Sequence, residues 1–503
     1  MRPLAGNRLK SNSLPASWSS ALIILVVSLV TRLSVHGDIG ARDKRPNVLF
    51  IMVDDLGPWL GTYGRDYVHS PHIDALAQSG MQFNRAYAQV PVCGASRSSM
   101  FTGILPTQTR FTKARSSVEG DAPGAVTLPQ LMRENGYHTY SVGKVFDASS
   151  DTAERSWSEP PVVPGADMYE WGERGFAVFH TFDPESANYV SGRGRGPIYE
   201  HPDVEDDAYF DGQVAKWAIE KLREMKEGEA PFFLAAGFFN PHLPFYAPKR
   251  YWDLYDRDEI PLAEVRTRPQ NAPSQLTGSH EFRAYHLKGM NVNSDEFHRV
   301  MRHGYFACVS YVDKLIGDML AELEQLDLHE NTIVVLWGDH GFNLGEHGFW
   351  GKHNLMGGST HIPLLIHAPG VTRPGSTSDA LVESTDLFPT LAALTGIEPS
   401  AELAAQWDGM DLSPLLDGSA DDIPREAAYT RWRHGDNIVT WRFSYTEYGR
   451  YRGGTRQEVV DSMLFDLKKD PGENINVVAK EKYRPFVTPL SERLLQVLSR
   501  GNH

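Results

Sequence analysis

The stretch Pro46–Gly57, PNVLFIMVDDLG, decides how the rest of this chain is read. Val48 to Val53 is an unbroken apolar run, the mark of a strand covered on both faces. It ends in two adjacent aspartates, Asp54 and Asp55. Outward from it, helical patterns alternate with further apolar strands. SPHIDALAQSG (70–80) reads as a helix with Ser70 as N-cap, Pro71 in the first turn and Gly80 after its end. VCGASRSSMFTG (92–103) sets a cysteine at the mouth of another helix, and TLPQLMRENGYHTYSVGK (127–144) is a helix, a short strand and Lys144. Then come a helix near 212–226, a strand in PFFLAAGFF (231–239) and a long helix around Cys308. Strands in TIVVLWGDHG (332–341) and IPLLIHAPG (362–370) and a helix in STDLFPTLAALTG (384–396) complete the series.

This alternation predicts an α/β fold, a large mostly parallel sheet flanked by helices. Its expected extent is 45–424. From 425 to 503 the texture changes to antiparallel strands with a tight turn at Asp470-Pro471-Gly472 and a final amphipathic helix. That predicts a smaller C-terminal α+β subdomain. The stretches 147–207 and 261–294 lack periodicity and read as long loops.

With 503 residues, 41% of them hydrophobic, the chain can bury a large core. Residues 1–37 carry basic side chains around ALIILVVSLV (21–30), an apolar run short for a bilayer. This predicts a cleaved signal peptide, export to the periplasm or beyond, and no stable membrane insertion. The formal net charge is −15, which argues against nucleic-acid binding and gives no long-range attraction to polyanions. An anionic substrate must therefore be held by a few local cations. The two cysteines, Cys93 and Cys308, sit in unlike surroundings: the first in a polar, glycine-flanked turn, the second on the inner face of a helix. They are not expected to pair.

In parallel sheets functional groups gather beyond the carboxyl ends of the strands. Asp54-Asp55 and Asp339-His340 each stand at such an end, and three converging carboxylates make a hard-oxygen site for Ca²⁺ or Mg²⁺. Imidazole also suits zinc or manganese, but without a cluster of cysteines or histidines calcium is favoured. Cys93 at a helix mouth fits a stabilised thiolate nucleophile. Soft sulfur is a poor partner for a hard cation, so the alternative is that residue 93 does not remain a cysteine.

Cys93-Gly94-Ala95-Ser96-Arg97 followed by MFTG resembles the signature of the formylglycine-dependent (type I) sulfatases of the alkaline-phosphatase superfamily. PNVLFIMVDD, SPHIDALA, SVGKVF, GFFNPHLPF, GDHGFNLGEHGFWGKH, THIPLLI and LFDLKKDPGE occur in that family's order, and SVGKVF, PHLPF and GDHG-x-x-LGEHG-x-W-x-K point to its iduronate 2-sulfatase branch. The resemblance implies an alkaline-phosphatase-like fold. It also implies oxidation of Cys93 to formylglycine by a formylglycine-generating or sulfatase-maturating enzyme, the hydrated aldehyde then attacking sulfur. By the same resemblance Asp54, Asp55, Asp339, His340 and residue 93 hold Ca²⁺, and Arg97 holds the modified side chain. Lys144 and Lys352 neutralise the sulfate, His242 is the general acid, His347 braces its loop and His361 lines the pocket. The implied substrate is a sulfated oligo- or polysaccharide bearing a uronic acid or related sugar, and the acidic surface, which repels a long polyanion, favours attack from a chain end.

Three positions depart from the pattern: Ala95 where the maturation motif has proline, Asp147 where the branch has histidine, and Asn240 where it has a basic residue. Two other readings stay open, a phosphodiesterase or phosphonate monoester hydrolase of the same superfamily, and a carbohydrate-binding protein with a dead site.

Overall fold

The computed structural model describes residues 45–164, 169–171, 177–179, 181–182 and 196–500. The signal peptide expected at 1–37 and part of the 147–207 loop lie outside the described residues. The apolar run becomes β1 (Asn47–Val53), all seven of its residues buried. It lies inside a seven-stranded sheet with β2 (Met81–Phe83), β3 (His138–Gly143), β4 (Phe232–Phe238), β5 (Thr332–Gly338), β6 (Leu364–His367) and β7 (Ser376–Ser378). The order is β7-β2-β6-β5-β1-β4-β3. The pairs β5-β1, β1-β4, β4-β3 and β2-β7 are parallel, and β6 alone runs against its neighbours. The mostly parallel α/β fold is therefore observed, and IPLLIHAPG supplies the reversed strand.

Alternate residues of β1 serve different layers, as the pleat requires. Leu49, Ile51 and Val53 pack under α1 (Pro71–Ser79), α4 (Phe210–Lys226) and the long α5 (Asp295–Gln325), whose Cys308 is wholly buried. Val48, Phe50 and Met52 pack under α2 (Cys93–Thr102), α3 (Leu128–Glu134) and α6 (Leu387–Leu394). Ser70 does stand at the N-cap of α1, but its hydroxyl turns to Asp74 and the Gly61 amide rather than capping the helix. Both cysteines are free thiols.

Two glycines let β3 and β4 end side by side. A Cβ on Gly143, whose φ is +78°, would meet the Gly237 carbonyl oxygen at 2.2 Å, and one on Gly237 would meet the Lys144 carbonyl oxygen at 2.0 Å. Only glycine permits that approach.

Towards the C-terminus, β8 (Ala428–Trp432), β9 (Gly435–Val439), β10 (Phe443–Arg452) and β11 (Thr455–Asp466) form an antiparallel meander. Tyr429, Ile438, Tyr445 and Leu464 pack against Leu490 and Leu494 of α7 (Arg484–Arg500). Gly453-Gly454 joins the last two strands, and the expected tight turn at Asp470-Pro471-Gly472 is present as well, with the Glu473 amide donating to the Asp470 carbonyl (3.1 Å). The latter follows β11, and its Gly472 carbonyl lies 2.7 Å from His347 Nε2. Just ahead of β8, the buried Arg425 joins Asp386 at 2.5 Å and Glu383 at 3.2 Å.

Candidate active site

The parallel strands deliver their following residues to one edge. The Asp54 amide donates to the Phe238 carbonyl (3.2 Å) and the Asp339 amide to the Val53 carbonyl (3.3 Å), so the sheet register extends one residue past the strand ends. Asp54 and Asp55 follow β1, Asp339 and His340 follow β5, Lys144 follows β3 and His242 lies four residues beyond β4. Residue 93 arrives on the first turn of α2. That turn sits tight because the Gly94 amide donates to the Ala114 carbonyl (3.1 Å) and Ser96 Oγ to the Asp339 carbonyl (2.5 Å).

Asp55 adopts a left-handed conformation, φ 59°, which costs free energy in a non-glycine residue and needs outside support. Tyr305 of α5 provides it. Its buried hydroxyl donates to the Asp55 carbonyl (2.8 Å) and accepts from the Gly57 amide (3.0 Å), while the Asp55 amide donates to Asp339 Oδ1 (3.0 Å).

Three cations meet these carboxylates. The wholly buried Arg97 donates to Asp54 Oδ1 (3.1 Å), Asp339 Oδ2 (3.0 Å) and the Lys144 and Val145 carbonyls. Lys144 Nζ lies 2.5 Å from Asp54 Oδ2. Lys352 Nζ lies 2.5 Å from Asp55 Oδ1 and 3.3 Å from Cys93 Sγ. Burial works to raise Asp54, yet Lys144 and Arg97 hold its carboxyl well below the usual range. At Asp55 burial wins over Lys352, and the carboxyl is pushed up to about 7. Burial, joined by neighbouring Asp54, brings Asp339 to about 7 as well.

The two histidines are neutral. Burial, helped by Lys352, lowers both His242 and His340 to about 3. A carbonyl can only accept, so Nδ1 of His340 donates to Gly341 (3.1 Å) and Nδ1 of His242 to Leu243 (2.6 Å). Both Nε2 lone pairs then face the cluster: His340 Nε2 is 3.3 Å from Cys93 Sγ, and His242 Nε2 is 3.9 Å from Asp55 Oδ2. Burial, followed by the charge of Asp54, pushes the Cys93 thiol well above its ordinary value. The helix mouth therefore does not yield a thiolate, and as a cysteine residue 93 is a poor nucleophile.

The donor set suits a cation. One ligand atom from each of Asp54, Cys93, Asp339 and His340 falls within 4.8 Å of the others, and so does one from each of Asp54, Asp55, Cys93 and His242. Asp55 Oδ2 is buried without a hydrogen-bond partner, a costly state that a hard cation would relieve.

All the residues singled out in the sequence thus meet at one edge of the sheet except the two peripheral histidines. His347 braces its loop against the turn after β11. His361 is directed to the Asn84 carbonyl (2.9 Å) and the rings of Tyr63 and Tyr87. Asn240 is structural, donating to the Tyr246 carbonyl (2.7 Å), and Asp147 is half-buried near Lys144. Sequence reasoning missed Tyr305, Asp211 and Glu281. It also missed His353, whose ring stacks on Trp432 of β8 (4.8 Å, 6°) beside Lys352. Asp211, at the start of α4, accepts from the Phe239 and Asn240 amides (2.6 and 2.8 Å) and so shapes the His242 loop. Glu281 lies between His242 and Lys352.

Buried cations and carboxylates around a single residue at a helix mouth define a hydrolase for an anionic ester. The sulfatase family profile matches residues 46–397, and that of the N-sulphoglucosamine sulphohydrolase C-terminal region matches residues 345–500. Iduronate 2-sulfatase of Homo sapiens is 34% identical, over 78% of this chain and 80% of its own. A sulfatase of Formosa agariphila is 28% identical, over 94% of this chain and 91% of its own. Among solved structures, a phosphonate monoester hydrolase of Agrobacterium radiobacter superposes with a TM-score of 0.72 at 23% identity, covering 91% of this chain and 96% of its own. A protein in complex with its substrate D-glucosamine-2-N,6-O-disulfate gives 0.70 at 21% identity, covering 91% and 98%. The chain belongs to the sulfatase family and is a sulfuric ester hydrolase. Among the described residues, no helix is long and apolar enough to cross a membrane.

Proposed function

We propose that this protein removes sulfate from a sulfated saccharide, acting on a terminal uronic acid or related sugar after export from the cytoplasm. The observation that carries the reading is the seat at residue 93, where Lys352 at 3.3 Å and a buried carboxylate cluster meet at the mouth of α2. Sγ of Cys93 marks where the side-chain oxygen of formylglycine would stand after conversion by a maturating enzyme. As an unmodified thiol, raised by burial and then by Asp54, residue 93 would be a poor nucleophile there. Formylglycine would supply the attacking oxygen.

Asp54, Asp55, Asp339 and His340 would hold a divalent cation, for which calcium is the best match to a carboxylate-rich set. That ion would add positive charge where the sulfate group sits. Lys144 and Lys352 take the charge that develops on the sulfate oxygens. Arg97 acts from beneath, fixing Asp54 and Asp339 rather than reaching towards substrate. His242 presents Nε2 to the leaving oxygen. Its lone pair would take a proton from solvent with the anionic ester bound beside it, and pass that proton to the departing alcohol. Trp432, stacked on His353, brings the C-terminal sheet to the side of the pocket, which favours a chain end over the middle of a polymer.

Hydrolysis of aryl sulfate, aryl phosphate and phosphonate monoesters by the purified protein tests this, alongside oligosaccharides and the polymers they come from. Sulfate esters and chain ends should be preferred. Preference for phosphonates, or faster attack on intact polymer, would overturn the reading.

A further inference from the structure

β8 turns back into β9 through Arg433 and His434, with Trp432 paired to Gly435 across the turn. Two segments of the site grip this turn. On one side the Trp432 ring stacks on His353, the residue after Lys352, and packs against the cluster of Val92 and Ala95 that flanks residue 93. Gly435 lies close on Leu355, whose Cδ1 a Cβ there would meet at 2.6 Å. On the other side stands Gln108, in the loop after α2. Arg431 donates to its Oε1, and its Nε2 lies 3.3 Å from His434 Nδ1. Arg433 is exposed between these anchors, with its guanidinium 5.4 Å over the Trp432 ring. Among the described residues no carboxylate lies within ion-pair distance of it, whereas Arg431 is buried and joined to Asp436 at 2.7 Å. Its φ of 52° is left-handed, a conformation that glycine would hold at less cost. The turn thus sets an unpaired cation beside the pocket, in a chain whose net charge is −15.

Building on the sulfate-ester reading, we propose that Arg433 forms a second anion subsite, which binds a carboxylate or sulfate on the sugar unit next to the one that loses its sulfate. A chain end seated at residue 93 carries its second unit out along the pocket wall, and His353, Trp432 and Arg433 follow one another along that wall from Lys352. The planar guanidinium offers paired N–H donors that match either oxyanion. The acidic surface gives no general attraction to a polyanion, so a second negative charge is welcome only where a local cation meets it. The favoured substrate is an oligosaccharide end whose second unit is acidic, and a neutral second unit makes the poorer ligand.

The probes are three disaccharide methyl glycosides that share a terminal iduronic acid 2-sulfate and differ in the second unit, which is glucose, glucuronic acid or glucose 6-sulfate. Their Kd values are measured by calorimetry on Cys93→Ala protein, with and without Arg433→Gly or Arg433→Lys. With Arg433 present, one or both acidic probes should bind on the order of 5- to 10-fold more tightly than the glucose probe, the scale of an exposed charge pair strengthened by paired hydrogen bonds. Which of them gains tells carboxylate from sulfate. Arg433→Gly, which suits the turn, should reduce the preference to within about 2-fold and leave the glucose probe within about 2-fold of its former Kd. Arg433→Lys should keep only part of the preference, because it keeps the charge and loses the fork. Equal binding of all three probes with Arg433 present, a preference that survives Arg433→Gly, an equal loss for all three in that variant, or no binding by any probe would overturn the proposal. Turnover is read separately on Cys93-containing protein. Lack of sulfate release there, with the Kd pattern intact, would count against the hydrolase reading alone.

Discussion

Asp54 has a cation on each oxygen, Arg97 at 3.1 Å and Lys144 at 2.5 Å. Asp55, one residue on, has Lys352 on Oδ1 and a buried Oδ2 with no partner. The first carboxyl is held well below its usual range and the second is pushed up to about 7. Two identical neighbours thus differ because Asp55 turns through a left-handed conformation towards Lys352 and residue 93, whereas Asp54 stays over Arg97. The difference separates a closed half of the site, whose charges already satisfy one another, from an open half that still lacks positive charge.

The largest effect should come from residue 93 itself, which lies in that open half. Cys93→Ala should reduce sulfate-ester turnover by roughly 10⁴-fold or more, the scale of a lost nucleophile, with the thermal transition retained. The peptide bearing residue 93 from active protein should be lighter than its cysteine form by the difference between cysteine and formylglycine. Active protein with only cysteine at that position would refute the conversion.

Next come the lysines. Lys144→Ala and Lys352→Ala should each lower kcat on the order of 10²-fold in steady-state assays. Lys352→Ala should be the worse, because Asp55 then has no lysine or arginine beside it whereas Asp54 keeps Arg97. Equal losses would erase the contrast between the two halves.

The smallest effect is on stability, and the two aspartates give it opposite signs. Asp54 is depressed, so it stabilises above its unfolded value of 3.8, and that contribution is lost as pH falls through and below it. Asp55 and Asp339 are raised to about 7, so their contribution is complete below about 4 and is lost as pH rises towards and through 7. Metal-free protein, prepared by chelation, should show a thermal midpoint that falls between about pH 5 and 8. Calcium should restore it, and by more at pH 8 than at pH 5, because the ion needs the ionised carboxylates. A calcium shift independent of pH would place the ion elsewhere.

Much of the site was legible because its residues follow strands with an unmistakable pattern. Val48–Val53 and Thr332–Gly338 are buried throughout, so the polar residues after them had to lie at a sheet edge. The reversed direction of β6 was not legible, since LLIH carries no directional signal. The first half of β11 was not legible because TRQEVVD is largely exposed and lacks alternation, whereas its second half, SMLFD, reads as a strand. Glu281, Tyr305 and the stack of His353 on Trp432 depend on contacts between segments far apart in the chain, and no local pattern marks them.

The place of β1 in the sheet also sets a clock. Its partners are β4 and β5, so Val48 meets Phe233 and Ile333, and the centre of the sheet cannot close until the chain has grown past Asp339. At about 5–20 residues per second, roughly 10–50 s separate the synthesis of residue 93 from that of residue 339. Residue 93 is 5% exposed in the finished fold. A maturating enzyme, if residue 93 is converted as proposed, would meet an open segment only while the chain is unfinished or not yet folded. A strand laid down first, with a neighbour that is made nearly 300 residues later, keeps that interval open.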